Sequence, residues 1–246
     1  MQRKELEEMS ANESDHWWYT GKRLFMRRLL GDHLRSKGKP LRILDVGCGT
    51  GANAIELSSY GEVIACDRSL DALGMAAGRG VPRLCAASAP DLPFGDNSFD
   101  VVTAFDIIEH VDDDAGFLRD LERVLAPGGA LAIHVPAWPS MWSRHDEILE
   151  HKRRYTKRSL HALLAGSGLR IEHLGWASCA LFAPWAAVHW MRRLTGAKQD
   201  AADSVVVKGP INTALRGVYR VEAELAATVG LPFGVSLAAV VVKPSA

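Results

Sequence analysis

The chain has 246 residues, of which 48% are hydrophobic and 24% charged, and its 29 basic side chains balance 29 acidic ones. Such a length fits one domain, or one domain with a cap, and buries enough surface to need no staples. Neutral charge excludes a dedicated nucleic-acid binder, which needs a basic stripe, and four scattered cysteines without a C-x-x-C exclude a zinc ribbon or disulfide scaffold.

The opening residues, Met1 to Ser14, carry four Glu, one Lys and one Arg, without the apolar run of a signal peptide. With the dispersed thiols Cys48, Cys66, Cys85 and Cys179, this leads to the expectation of a cytoplasmic protein. The first forty residues read as helix, since Leu24, Met26, Leu29, Leu30 and Leu34 recur at helical spacing and Gly38 with Pro40 ends the run. Strands and helices then alternate. Strands are expected at 41–45, 62–66, 82–86, 99–105 and 130–135, with helices at 52–60, 70–77 and 115–125 between them. This order predicts an α/β fold: a doubly wound, mostly parallel, Rossmann-like sheet with helices on both faces.

Beyond Pro136 the rhythm changes. A stretch rich in aromatics and charge, 138–155, precedes a helix at 157–165 and a strand at 169–174. An apolar helix from Trp176 to Met191 follows, too short at sixteen residues to span a bilayer but able to touch a membrane surface peripherally. A polar linker from Gly196 to Lys208, a helix at 211–228 and a strand at 235–242 close the chain, making seven strands and a helical cap insertion. The expected organisation is an N-terminal helical lid over 1–40 and a cofactor-binding core over 41–136. Residues 137–246 then supply the acceptor-side loop, the cap and the last strands.

The sharpest signal is Ile43-Leu-Asp-Val-Gly-Cys-Gly-Thr-Gly51, a strand running through three glycines into a helix. Glycines serve where φ is positive and where a ligand lies on bare backbone, and the helix start offers N–H donors. Gly47-x-Gly49-x-x-Ala52 also satisfies the dinucleotide fingerprint, so the glycines alone do not choose a cofactor. Asp45 favours a cofactor with an ammonium and a sulfonium over a pyrophosphate. Asp67, 22 residues on, can take both ribose hydroxyls of an adenosine in either case.

With Leu92-Pro-Phe-Gly-Asp-Asn-Ser-Phe-Asp100, Asp106-Ile-Ile-Glu-His110 and Leu125-Ala-Pro-Gly-Gly129, these words resemble the class I S-adenosylmethionine-dependent methyltransferases. The likeness spans about a hundred residues and is nearest to the small-molecule enzymes that include the O-methyltransferases of ubiquinone biosynthesis. It implies S-adenosyl-L-methionine as cofactor, Asp45 and Gly47 near its methionyl part, Asp67 on the ribose and Phe105 beside it. Cys48, Gly49 and Gly51 of the loop, Arg68, Ser88 and Ala89 complete the implied cofactor set. Ser88 departs from the pattern, standing where many relatives hold adenine with an acid.

Methyl transfer is a displacement in which the protein mainly aligns the nucleophile, so a general base is optional. His110 is a candidate base beside Asp106, although Glu109-His110 could equally orient the turn. In Met141 to Thr156, His145 beside Asp146 is a second candidate base, and Arg153, Arg154 and Tyr155 could hold an acidic or lipid-like acceptor. The bland alternative is a solvated helix with a Glu150–Arg154 pair. His145, Asp146 and His151 lack the spacing of a helical metal motif, so no metal is expected. Asp15-His16-Trp17-Trp18-Tyr19 could form a lid, with Arg23 reaching the cofactor's carboxylate, or a docking patch for the first helix. A nicotinamide oxidoreductase and a non-catalytic cofactor-binding module remain the competing functions.

Overall fold

The computed structural model describes residues 3–35, 38–88, 90–180, 182–195 and 207–245. Ala89 and most of the expected linker from Gly196 to Lys208 lie outside them. Seven strands form one sheet: β1 (Leu41–Val46), β2 (Gly61–Asp67), β3 (Leu84–Ala86), β4 (Phe99–Phe105), β5 (Leu125–Pro136), β6 (Arg170–Ala177) and β7 (Ser236–Val242). Their order is β3-β2-β1-β4-β5-β7-β6. All neighbours are parallel except β7, which runs against both β5 and β6. The chain winds outward from β1 to β3, then returns to place β4 on the other side of β1. A crevice therefore opens at the ends of β1 and β4, where such sheets bind ligands.

The strands are apolar on both sides because both sheet faces are covered. Leu131 and Ile133 of β5 join one core with Phe117 and Leu121 of α5 (Asp114–Val124). Their neighbours Ala130 and Ala132 face the other core, with Phe25 and Met26 of α2 (Trp17–Leu30) and Ala223 and Ala226 of α9 (Gly209–Thr228). Gly21 permits the α2–α9 contact: a Cβ there would sit 2.4 Å from Tyr219 Cγ.

Three expectations are corrected. The leading helix is two, α1 (Arg3–Asn12) and α2, because residues 13–16 turn the chain over the crevice. Trp176 belongs to β6, paired with Leu237, and the apolar helix α8 begins later (Phe182–Thr195). The insertion between β6 and β7 is not one cap: α9 lies along α2 on a sheet face, whereas α8 sends Trp185 and Val188 to the crevice. Among the described residues, no helix is long and apolar enough to cross a membrane.

Candidate active site

The crevice opens into a cavity of about 1650 Å³. After β1 the backbone passes Gly47, Gly49 and Gly51 at φ +69°, +53° and +88°, a region that favours glycine. Gly47 and Cys48 donate their N–H groups to the Cys66 carbonyl at 2.8 and 3.0 Å, which fixes the loop against β2. Gly47 and Gly49 line the cavity. Gly51 instead caps α3 (Ala52–Leu57), where a Cβ would lie 2.9 Å from Ala76 Cβ, so it serves packing and not ligand contact.

Asp45 is buried at the cavity wall. Its Oδ1 accepts from Asn53 Nδ2 and Thr103 Oγ1, each at 2.7 Å, while Oδ2 is buried without a partner. Burial pushes this carboxyl up to about 6. A buried anionic oxygen without a donor is costly, and a ligand ammonium would relieve it. Asp67 accepts Gly49 N at Oδ2 (3.0 Å) and Ser69 N at Oδ1 (2.8 Å), which holds the carboxylate while leaving lone pairs for hydroxyls. Arg68, Ser88, Phe105 and Cys48 also line the cavity. Burial raises the Cys48 thiol, so it is no nucleophile.

The N-terminal helices close over this end. Glu13 is buried, receives the Thr50 hydroxyl and pairs with Arg79 at 2.7 Å, and burial pushes its carboxyl up to about 7. Arg23 lines the cavity, with Nε 2.7 Å from Glu56 and a guanidinium N–H given to the Glu13 carbonyl at 2.8 Å. Trp17 and Trp18 face the cavity and also meet Tyr219, at ring separations of 5.7 and 6.2 Å. The aromatic cluster thus both lines and docks.

At the other end, Asp106 adopts φ +55° and is clasped by Lys22 and by His134 Nδ1, the latter at 2.6 Å. Burial opposes its ionisation, but Lys22 and His134 outweigh it and hold the carboxyl well below its ordinary range. Asp106 therefore stays anionic and is a poor proton acceptor. Glu109 is fully buried, and burial followed by the Asp106 charge drives its carboxyl well above the usual range. Burial and neighbouring His151 lower His110, which favours a neutral imidazole. His110 and His145 both line the cavity.

The acceptor-side segment is not a solvated helix. The short helix α6 (Arg144–Ile148) gives way to an extended stretch bridged at Ala137–Tyr155. Consecutive side chains of an extended segment point to opposite sides. Arg154 faces the cavity, buried, with Nε 2.7 Å from Asp146 Oδ1, a second N–H on the Ala137 carbonyl (3.0 Å), and its guanidinium 5.1 Å from the Trp185 ring. Arg153 turns away to Asp114 (2.8 Å), and the Tyr155 hydroxyl donates a hydrogen bond to the same carboxylate at 3.0 Å. The expected three-residue acceptor set thus reduces to Arg154. Glu150 pairs with Arg68, not Arg154. Asp146 cannot join a metal with His145 and His151, because Ser143, His151 and Arg154 already engage its oxygens.

His134, Asn53 and Thr103 are not singled out by the sequence, although Asn53 stands two residues after Gly51 and Thr103 between Asp100 and Asp106; Lys22 stands beside Arg23, and Trp185 falls within the apolar helix expected at 176–191. A histidine and a threonine inside apolar strands were the only signals for two of the first three.

Residues 44–133 match the family described as a methyltransferase domain. The O-methyltransferase resE of Aspergillus sclerotiorum is 33% identical over 162 residues, 59% of this chain and 61% of that protein. The demethylmenaquinone methyltransferase of Mycobacterium tuberculosis is 31% identical over 188 residues, 72% of this chain and 79% of the relative. The chain thus spans less than two thirds of the first relative's length and more of the second's. Phosphoethanolamine N-methyltransferase 2 of Haemonchus contortus, solved with S-adenosyl-L-methionine, aligns with a TM-score of 0.59 at 18% identity, over 89% of this chain and 52% of that one.

Proposed function

Because this chain belongs to the class I S-adenosylmethionine-dependent methyltransferases, we propose that it moves a methyl group from that cofactor to an oxygen, nitrogen or carbon of a small-molecule acceptor. The observation that carries the reading is the unpartnered Oδ2 of Asp45 beneath the glycine loop, with the Asp67 carboxylate 22 residues on. Asp45 suits the ammonium of the cofactor's methionyl part and repels a pyrophosphate, which disfavours the nicotinamide alternative. Asp67 suits the ribose hydroxyls, and Gly47 and Gly49 let the ligand lie against backbone. When bound, the cofactor supplies an electrophilic methyl on a sulfonium that is already a leaving group.

The chain's own part is alignment and exclusion of water. Trp17 and Trp18 roof the cavity, and residues 1–40 act as its lid over the core of 41–136. Arg154, backed by Asp146 and Trp185, is placed to hold an acidic acceptor, and Val188 gives the same wall apolar surface. The lining of the cavity by His110 and His145 supports either as the group that takes an acceptor proton, whereas Asp106 orients Lys22 and His134. The exposed Trp190, Met191 and Leu194 of α8 support peripheral contact with a lipid surface that delivers an apolar acceptor. A cytoplasmic location belongs to the same reading.

Calorimetric titration with S-adenosylmethionine, S-adenosylhomocysteine and NAD tests the cofactor, and transfer of a labelled methyl separates an enzyme from a binding module. Binding of NAD alone would sink the reading. Sedimentation with anionic lipid vesicles tests the surface contact, which fails if the protein stays in the supernatant.

A further inference from the structure

Three side chains at the acceptor end, Glu109, His110 and His151, converge on one point, and methyl transfer alone gives no role to Glu109 or His151. Glu109 is fully buried, and neither carboxylate oxygen has a hydrogen-bond partner among the described residues. An ionised carboxylate so placed is costly unless a cation joins it, and without one the group keeps its proton. The His110 and His151 rings stand edge to face with centroids 4.8 Å apart. One ligand atom from each of Glu109, His110 and His151 lies within 4.8 Å of the other two.

Both histidines are already oriented. His151 Nδ1 lies 2.9 Å from Asp146 Oδ1, and His110 Nδ1 lies 3.3 Å from the Glu150 carbonyl oxygen. An imidazole that donates from Nδ1 presents the Nε2 lone pair on its far side, which is how outer carboxylates and carbonyls prepare metal-bound histidines. Asp146 is itself fixed by Arg154 at 2.7 Å and by the Ser143 N–H at 2.9 Å. The Lys152 N–H donates to the Glu109 carbonyl at 2.8 Å, which pins the His151 loop against the turn carrying the other two. Asp106 is not part of the set, since Lys22 and His134 clasp it.

We infer that Glu109, His110 and His151 form a site for a divalent first-row transition ion of the Zn²⁺ or Co²⁺ class, against the expectation of no metal. Two imidazoles and one carboxylate suit such ions better than Mg²⁺ or Ca²⁺, which prefer oxygen shells. All three residues line the cavity, so three protein ligands leave a coordination position open toward it. An acceptor oxygen fits that position, a role that rests on the methyl-transfer reading, whereas the site itself does not; with the ion bound, His110 is a ligand and His145 is left to take the acceptor proton.

The test titrates metal-free protein, with no acceptor present, with Co²⁺ followed by visible absorption and with Zn²⁺ in competition with a chromophoric chelator. One equivalent of each ion should bind. Asp146→Asn should weaken Zn²⁺ binding about 10–100-fold by loosening His151. Glu109→Gln and His151→Ala should weaken it more. His110→Ala serves if the Glu109 variant fails to fold by circular dichroism, and His161→Ala, on an exposed helix position, should change nothing. Equal Zn²⁺ affinity in the wild type, the His151 variant and either the Glu109 or the His110 variant would overturn the site. S-Adenosylmethionine is titrated into the same preparations. Cofactor binding without metal binding overturns the site and leaves the methyltransferase reading standing; metal binding without cofactor binding does the reverse.

Discussion

At the cofactor end of the cavity the wall is largely backbone: Gly47 and Gly49 at positive φ, with Asp45 and Asp67 held by local donors from the adjoining loop, helix and strand. At the acceptor end the wall is side chain, and its members come from everywhere. Lys22 arrives from α2, His134 from β5, Trp185 from α8 and Arg154 from an extended stretch after α6. The first arrangement depends on a short glycine loop whose φ angles are set locally, with adjacent parallel strands bringing Asp67 and the Thr103 donor to it. The second depends on buried ion pairs between distant segments, each of which fails if one partner is removed. The two ends should therefore break differently under mutation, in binding at one and in stability at the other.

The largest effect should come from Gly47→Val, where a Cβ would lie 1.9 Å from Ile107 Cδ1 on a backbone that β-branched residues avoid. Binding of S-adenosylmethionine should be lost while circular dichroism retains the folded spectrum. At the opposite end, Arg154→Met takes the guanidinium from the fully buried Asp146, leaving it His151 and Ser143, and should cost about 3 kcal/mol in urea unfolding, the low end for a broken buried pair. A loss below about 1 kcal/mol would mean that the pair is not a structural brace. Asp67→Ala removes a charged acceptor from two hydroxyls, worth about 1.5–3 kcal/mol, so cofactor affinity should fall roughly ten- to hundredfold by calorimetry.

Asp45 sharpens the comparison through pH. Its carboxyl is raised to about 6 by burial, so the anion that attracts an ammonium is lost as pH falls through 6. Cofactor affinity should then drop by up to about tenfold per pH unit, and Asp45→Asn should flatten that slope. The apo fold responds with opposite sign. A carboxyl raised above its unfolded value contributes stability that is fully present below about 4 and is lost as pH rises through 6. The smallest effect belongs to Arg153→Gln, whose partly exposed pair with Asp114 should contribute no more than about 1 kcal/mol and leave cofactor binding unchanged.

Much of the cofactor end was legible because its determinants are consecutive. A strand that ends in Asp45 and runs through Gly47 and Gly49 states its own turn chemistry, and the near-continuous apolar runs of β4 and β5 state a sheet covered on both faces. Boundaries drifted where apolar residues continue past an element, as at Trp176, which is as suitable for β6 as for a helix. The pairing Trp176↔Leu237 decided that, and pairing is not local.

The alternating strand–helix fold and a glycine loop fit for an adenosyl cofactor follow from the residue order alone, because both rest on short-range periodicity and backbone sterics. Long-range packing is what turns Arg154 and not Arg153 to the cavity, clasps Asp106 between Lys22 and His134, and brings Glu109, His110 and His151 together. The separations explain why. Lys22 stands 84 residues from Asp106 and His151 stands 42 from Glu109, so their meeting depends on how the lid and the roof fold back over the sheet.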